Sequence, residues 1–236
     1  MKRLGIIAAA VVALIVFSLA SLPSATVRYR LTLHAESDGV PVSGASVSEV
    51  TYRKNAKILG ASAELVINCR CEAVELDLGT RGKLFALLRG GADSRSGADW
   101  IVLRAFDLPG GAVPSPIDEG LKKIRTLSGI RELPLESLPL LVRFDDINDP
   151  LTVRKVDPLN LEASLGPATK LTRATLEVVP AGIWPLSWYG ITGEPLTNRI
   201  ESRLTWLKRL KGGYLHGDFS SRGAPLELHG GDFRRG

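Results

Sequence analysis

Within a few residues this chain changes its period, and that change constrains everything after it. Leu4 to Ala20 (LGIIAAAVVALIVFSLA) carries no charge and almost nothing polar. From Thr26 onward Val27, Tyr29, Leu31 and Leu33 alternate with Arg28, Arg30, Thr32 and His34. The first run asks for a helix in an apolar medium; the second is the period-2 pattern of a half-buried strand. A helix buried in a soluble core would rarely lack a polar face.

Met1, Lys2 and Arg3 precede the apolar run, the order of a secretory signal or an N-terminal anchor, with the cationic side left in the cytoplasm. Its helical length is roughly 25 Å, short of a hydrocarbon core of ~30 Å unless Ser21 and Leu22 extend it. Ser18-Leu19-Ala20 suits a peptidase that wants small residues, and Pro23-Ser24-Ala25 ends the helix. Residues 1–25 are therefore an N-terminal membrane anchor or a removed signal peptide. Either way the rest of the chain faces the periplasm from the cytoplasmic membrane, or is secreted into that space. No cysteine adjoins the boundary, so a lipoprotein anchor is excluded.

The remaining body is long enough for one large domain or two small ones with a real core. A formal charge of +5, scattered along the chain, argues against nucleic acid as a partner. It is compatible with a weak attraction to anionic lipid headgroups.

Ser37-Asp38-Gly39 predicts a turn between the first strand and a second at Val42 to Tyr52, the two pairing as a hairpin or meander. Ala63 to Leu78 reads as one long strand or two bent ones, and Lys83 to Leu88 (KLFALL) as another. Trp100 to Phe106 (WIVLRAF), Leu138 to Phe144 (LPLLVRF), Thr152 to Val156 and Leu171 to Val179 complete the strands. Pro116 to Leu127 predicts a short helix with acids first and bases last, as the helix dipole prefers. Asp157-Pro158 starts a helical turn that Gly166-Pro167 stops. Late in the chain Leu196, Ile200, Leu204, Leu207 and Leu210 form one apolar stripe between Pro195 and Gly212-Gly213, an amphipathic helix packed on the sheet or resting on a membrane surface. The expected fold is mainly β (α+β): an antiparallel β-sandwich or open barrel with an N-terminal membrane helix and one C-terminal amphipathic helix. Residues 26–219 form this β-rich globular domain. Residues 220–236, Gly- and Arg-rich without periodicity, read as a flexible tail.

Candidate chemistry is sparse. Cys69 and Cys71 are the only cysteines; two apart on a strand they share a face, at a Cα separation of roughly 6.5–7 Å. That is the upper limit for a disulfide, so the pair is buried thiols, or a bridge if the strand bulges there. A metal would need further ligands. His216-Gly217-Asp218-Phe219 and His229-Gly230-Gly231-Asp232-Phe233 echo one another as metal or acid/base pairs, or as local turns. Asp146 to Pro150 resembles a cadherin calcium linker but supplies too few oxygens, and Asx-Pro turn chemistry explains it. Gly79 to Lys83 lacks the Walker spacing, and no G-x-S-x-G elbow is present. Glu72, Glu75 and Asp77 read as a solvated strand face. Trp184, Trp188 and Tyr189 crowd one loop; such rings suit a partner interface, a glycan, the headgroup zone of a membrane, or a loop folded back over the core.

The segments VRYRLTL, SGASVSEV, LDLGTRGKLFALL, LVRFDDINDPLTVRKVDP and ITGEPLTNRIESRLTWL together resemble a group of signal-anchored proteobacterial envelope proteins to which no activity attaches. Gly39 to Val47 is similar to the hairpin of transthyretin-like and carboxypeptidase-regulatory modules, which implies a β-sandwich. The expected role is a non-catalytic, membrane-anchored or periplasmic binding or structural protein of the cell envelope. It would use no cofactor, touch the membrane through its N-terminal helix, and take an envelope protein or glycan as partner. The alternative is a periplasmic hydrolase or metal-dependent enzyme using His216 and Asp218.

Overall fold

A computed structural model describes residues 22–55, 63–183, 185–187, 189–210, 214–216 and 227–236. The apolar run and its expected membrane helix lie outside these residues. The chain is mainly β, with 42% strand and 24% helix, in two antiparallel sheets that do not close.

The larger sheet grows from one hairpin. Strands β1 (Ser24–Ser37) and β2 (Val40–Lys54) pair over their whole length. Asp38 (φ 51°) and Gly39 (φ 79°) between them are both left-handed, the two-residue turn whose twist matches that of its strands. β3 (Leu65–Glu72) extends the sheet beside β2, while β9 (Thr169–Val179) and then β6 (Gly129–Leu133) extend it beside β1. The short β12 (Arg234–Arg235) closes the far edge against β3. The order is β12-β3-β2-β1-β9-β6.

At Ala73 the chain leaves this sheet and enters a second one as β4 (Val74–Asp77). There it pairs with β5 (Lys83–Gly90), which is followed by β7 (Pro139–Phe144) and β8 (Val153–Val156). The crossing is tight. Ser46 Oγ donates to the Glu72 carbonyl at 2.8 Å, and a Cβ at Gly44 would come within 2.1 Å of the Glu75 carbonyl oxygen. A third, two-stranded pair joins β10 (Tyr214–His216) to β11 (Glu227–His229).

Two apolar clusters hold the layers. The main one joins Val27, Tyr29, Leu31 and Leu33 of β1 to Val74, Leu76, Leu84 and Leu141 of the second sheet. It also takes in Ile101 to Leu103 of helix α1 (Ile101–Ala105) and Leu121 and Ile124 of helix α2 (Ile117–Arg125). The other, on the opposite face of the second sheet, joins Phe85, Leu87 and Val142 to Ile200, Leu204, Trp206, Leu228 and Phe233. Burial on both faces is why KLFALL and LPLLVRF run apolar without alternation.

Three expectations are corrected. Trp100 to Phe106 is not a strand: Gly97 O accepts from Trp100 N at 3.0 Å and Ile101 N at 2.9 Å, which starts α1. A short buried apolar run carries no period that separates strand from helix. The single C-terminal helix is also not formed. The segment is helical only as α4 (Ile200–Arg203), which follows α3 (Glu162–Leu165) in the chain, breaks at Leu204 (φ −112°, ψ 78°), and continues as a 3-10 turn over Thr205–Arg209. Upstream backbone groups are taken by tertiary partners: Thr197 N donates to Val47 O at 3.1 Å, and Arg199 N donates to the Glu72 carboxylate at 2.7 Å. Last, residues 227–236 are not a loose tail. Phe233 N and O are both hydrogen-bonded, O from Ala73 N at 2.8 Å, and its buried ring lies 5.4 Å from that of Trp206.

Candidate functional site

The loop of residues 180–194 leaves β9 and returns to its own starting point. Glu194 N donates to Pro180 O at 2.8 Å, and Ile183 N donates to Thr192 Oγ1 at 3.0 Å. Gly182 (φ 74°) and Gly193 (φ 78°) press together at this neck, where a Cβ on Gly193 would lie 2.5 Å from Gly182 N. Inside the loop, Leu186 O accepts from Ile191 N at 3.0 Å and Ile183 O from Ser187 N at 2.8 Å. The result is a compact loop with joined ends.

Its outer side is apolar. Ile183 is 71% exposed, Leu186 43%, Tyr189 74% and Ile191 68%. These described residues do not fold back over the core. Trp184 and Trp188, which the sequence places in the same loop, lie outside the described residues.

The loop stands on a charged row across the larger sheet. Arg28, only 1% exposed, gives Nη2 to Glu49 Oε2 at 2.6 Å and Nη1 to the Glu194 carbonyl at 2.5 Å. Arg30 bridges Glu177 at 2.7 Å and Glu194 at 2.6 Å, and these contacts raise its already high pKa. Arg70, opposite Glu49 on β3, reaches the second carboxylate oxygen at 3.3 Å.

Beside the loop's Ser187, Tyr189 and Gly190 lies a cavity of about 290 Å³ that Arg70, Cys71, Arg234, Arg235 and Asn198 also line. Arg234 pairs with Glu201 at 2.8 Å and Arg235 with Asp99 at 2.6 Å, so the guanidinium planes are held in place. Such a wall offers N–H donors in fixed directions, the chemistry of an oxygen-rich ligand. The structure thus brings together Tyr189 and Cys71, two of the residues singled out in sequence. It adds Arg234 and Arg235, which lay in the supposed tail. Their signal was the Phe233-Arg234-Arg235 sequence, an aromatic anchor beside two cations.

Cys69 and Cys71 are bonded through their sulfurs, with Cα atoms 5.5 Å apart. Of the two readings the sequence left open, buried thiols or a bridge, the structure has the bridge. β3 pairs with β2 only as far as Arg70, and Cys71 faces β12 instead; that change of partner lets the strand contract below ladder spacing. The solvated face assigned to Glu72, Glu75 and Asp77 is also corrected for its first two members. Glu72 is 3% exposed and its Oε2 accepts from Arg199 N and Ile200 N at 2.7 and 3.1 Å. Glu75 pairs with Lys83 and with Arg203. A half-buried strand that switches sheets has no solvent face at the crossing, which no local pattern reveals.

The two histidines lie on the paired strands β10 and β11. His229 closes a turn: its Nδ1 accepts from Gly231 N at 2.9 Å, and its own N donates to Asp232 Oδ2 at 2.8 Å. His216 stands opposite Glu227 in β10, and Asp218 lies outside the described residues. Asp146 and Asp149 form the expected Asx turns, accepting from Asn148 N and Leu151 N at 2.9 Å each. Two buried phenols take backbone partners that no local pattern reveals. Tyr29 OH donates to Ala98 O at 2.9 Å and Tyr52 OH to Asp99 O at 2.6 Å, and burial pushes the pKa of both upward.

Set against known protein families, curated proteins and solved structures, the chain matches none.

Proposed function

We propose that this is a non-catalytic binding protein of the cell envelope, anchored at the outer side of the cytoplasmic membrane or released there, with its two sheets packed as a β-sandwich. Its recognition surface is the loop of residues 180–194 with the arginine-lined cavity at its side. One observation carries this reading: Ile183, Leu186, Tyr189 and Ile191 are exposed together on a loop whose neck is locked. Scattered apolar side chains on a surface mean little, but a cluster rimmed by charge marks a contact site. Order in the free loop also lowers the entropy lost on binding. The partner would be an envelope protein or a glycan presenting an apolar patch beside acidic or hydroxylated groups.

Crosslinking in intact cells, followed by recovery of the captured species, tests this. Serine at Ile183, Leu186, Tyr189 and Ile191 should abolish capture while thermal unfolding stays within about 0.5 kcal/mol of the parent, as for surface changes that touch no core. Exchanging Trp184 and Trp188 for alanine should have the same effect. Undiminished capture by both variants removes this loop as the binding surface.

A further inference from the structure

We propose that the end of the larger sheet where the chain enters from residues 1–25 lies flat against an anionic lipid surface; the inference rests on the membrane placement above. Helix α2 packs across the start of β1 and the end of β2 at this end. Arg125 gives Nε to the Ser24 carbonyl at 2.8 Å. Lys54 Nζ pairs with Asp118 at 2.7 Å, and Lys54 N donates to Pro23 O at 2.9 Å. These contacts fix the helix beside the first residues of the domain.

The cations around that point are not neutralised. Arg53, Lys122, Lys123 and Arg125 are exposed, and none has a carboxylate partner among the described residues. The acids nearby are Glu64, Asp118 and Glu119; Asp118 is taken by Lys54, and both helix acids sit in the first turn, away from the basic last turn. At the other end of the sheet the pattern reverses: Arg81 pairs with Asp38 at 2.7 Å and Lys170 with Glu36 at 3.1 Å. At that end Arg173 is exposed without a carboxylate partner among the described residues, against four such cations next to the apolar leader. Basic residues next to a membrane segment are attracted to anionic headgroups within a screening length. Lysine, as a mobile point charge, suits a disordered array of phosphates better than one shaped ligand.

The test uses the full chain in lipid nanodiscs made of phosphatidylcholine alone or with phosphatidylglycerol added. Co-elution with the disc reads the anchoring. Acetylation of Lys122 and Lys123 relative to Lys170, followed by peptide mass spectrometry, reads the surface contact. With phosphatidylglycerol the relative labelling should fall several-fold and recover at high salt. Equal labelling in the two lipids, in chains that co-elute, overturns the lipid contact and leaves anchoring standing. Chains that elute apart from both discs overturn the two together.

Discussion

At the scale of single residues, buried polar groups decide more than the apolar ones. Arg28 sits on the face of β1 that alternation assigns to solvent, yet the returning 194–199 segment covers it, and Glu49 with the Glu194 carbonyl must satisfy it. Removing one partner of such a pair strands a charge, which is why it specifies how the loop is seated. Tyr29 and Tyr52 give a measurable counterpart. Burial raises both pKa values in the folded chain, so below the ordinary phenol value of about 10 folded and unfolded chains are equally protonated. Above it the unfolded chain loses protons that the folded chain keeps, and stability falls as pH rises. In an alkaline titration followed by phenolate absorbance, two of the four tyrosines should ionise only together with loss of far-UV ellipticity. Smooth titration of all four in folded protein would contradict the burial. Alternation in β1 and β2 made these tyrosines legible as core residues, but not the backbone carbonyls that receive their hydroxyls, which belong to the turn entering α1.

Among the elements, those written in a local pattern were readable and those created by contact were not. The hairpin of β1 and β2 follows from alternation and an Asp-Gly turn; β9 and α2 follow from periodicity and dipole-matched charge. β6 (GIREL) has four exposed residues out of five and becomes a strand only because β9 offers it an edge. The terminal strand β12 is the extreme case. Its two residues have no pattern, and they are placed by Phe233, whose ring meets Trp206 and, at 6.3 Å, Phe144. Phe233→Ala should cost about 3–5 kcal/mol, the range for a buried aromatic cut back to alanine, measured by urea unfolding. A loss below about 1 kcal/mol would mean that the terminal residues contribute little to packing. The same contacts explain why two arginines of the cavity wall escaped sequence reasoning: Arg234 and Arg235 acquire positions only once Phe233 is docked.

For the molecule as a whole, the second sheet belongs to both apolar clusters, Leu84 and Leu141 facing one and Phe85 and Val142 the other. Neither cluster can dissolve without stripping a face from strands that the other needs. Unfolding should therefore be a single cooperative transition. Trp100 packs against the first cluster and Trp206 within the second; their fluorescence, isolated by replacing the other tryptophans with phenylalanine, should report coincident midpoints. Separate midpoints would divide the body into two units. The mainly β class and the antiparallel pairing were legible from strand patterns, whereas the change of sheet at Ala73 was not, because Ala63 to Leu78 reads equally as one long strand or two bent ones.

The neck at Gly182 and Gly193 has a broader consequence. Since the loop begins and ends at one point, its contents can be swapped, shortened or lengthened while every strand keeps its place. The body behaves as a fixed handle, and the head it carries is free to diversify: chains sharing this scaffold should differ most between those two glycines.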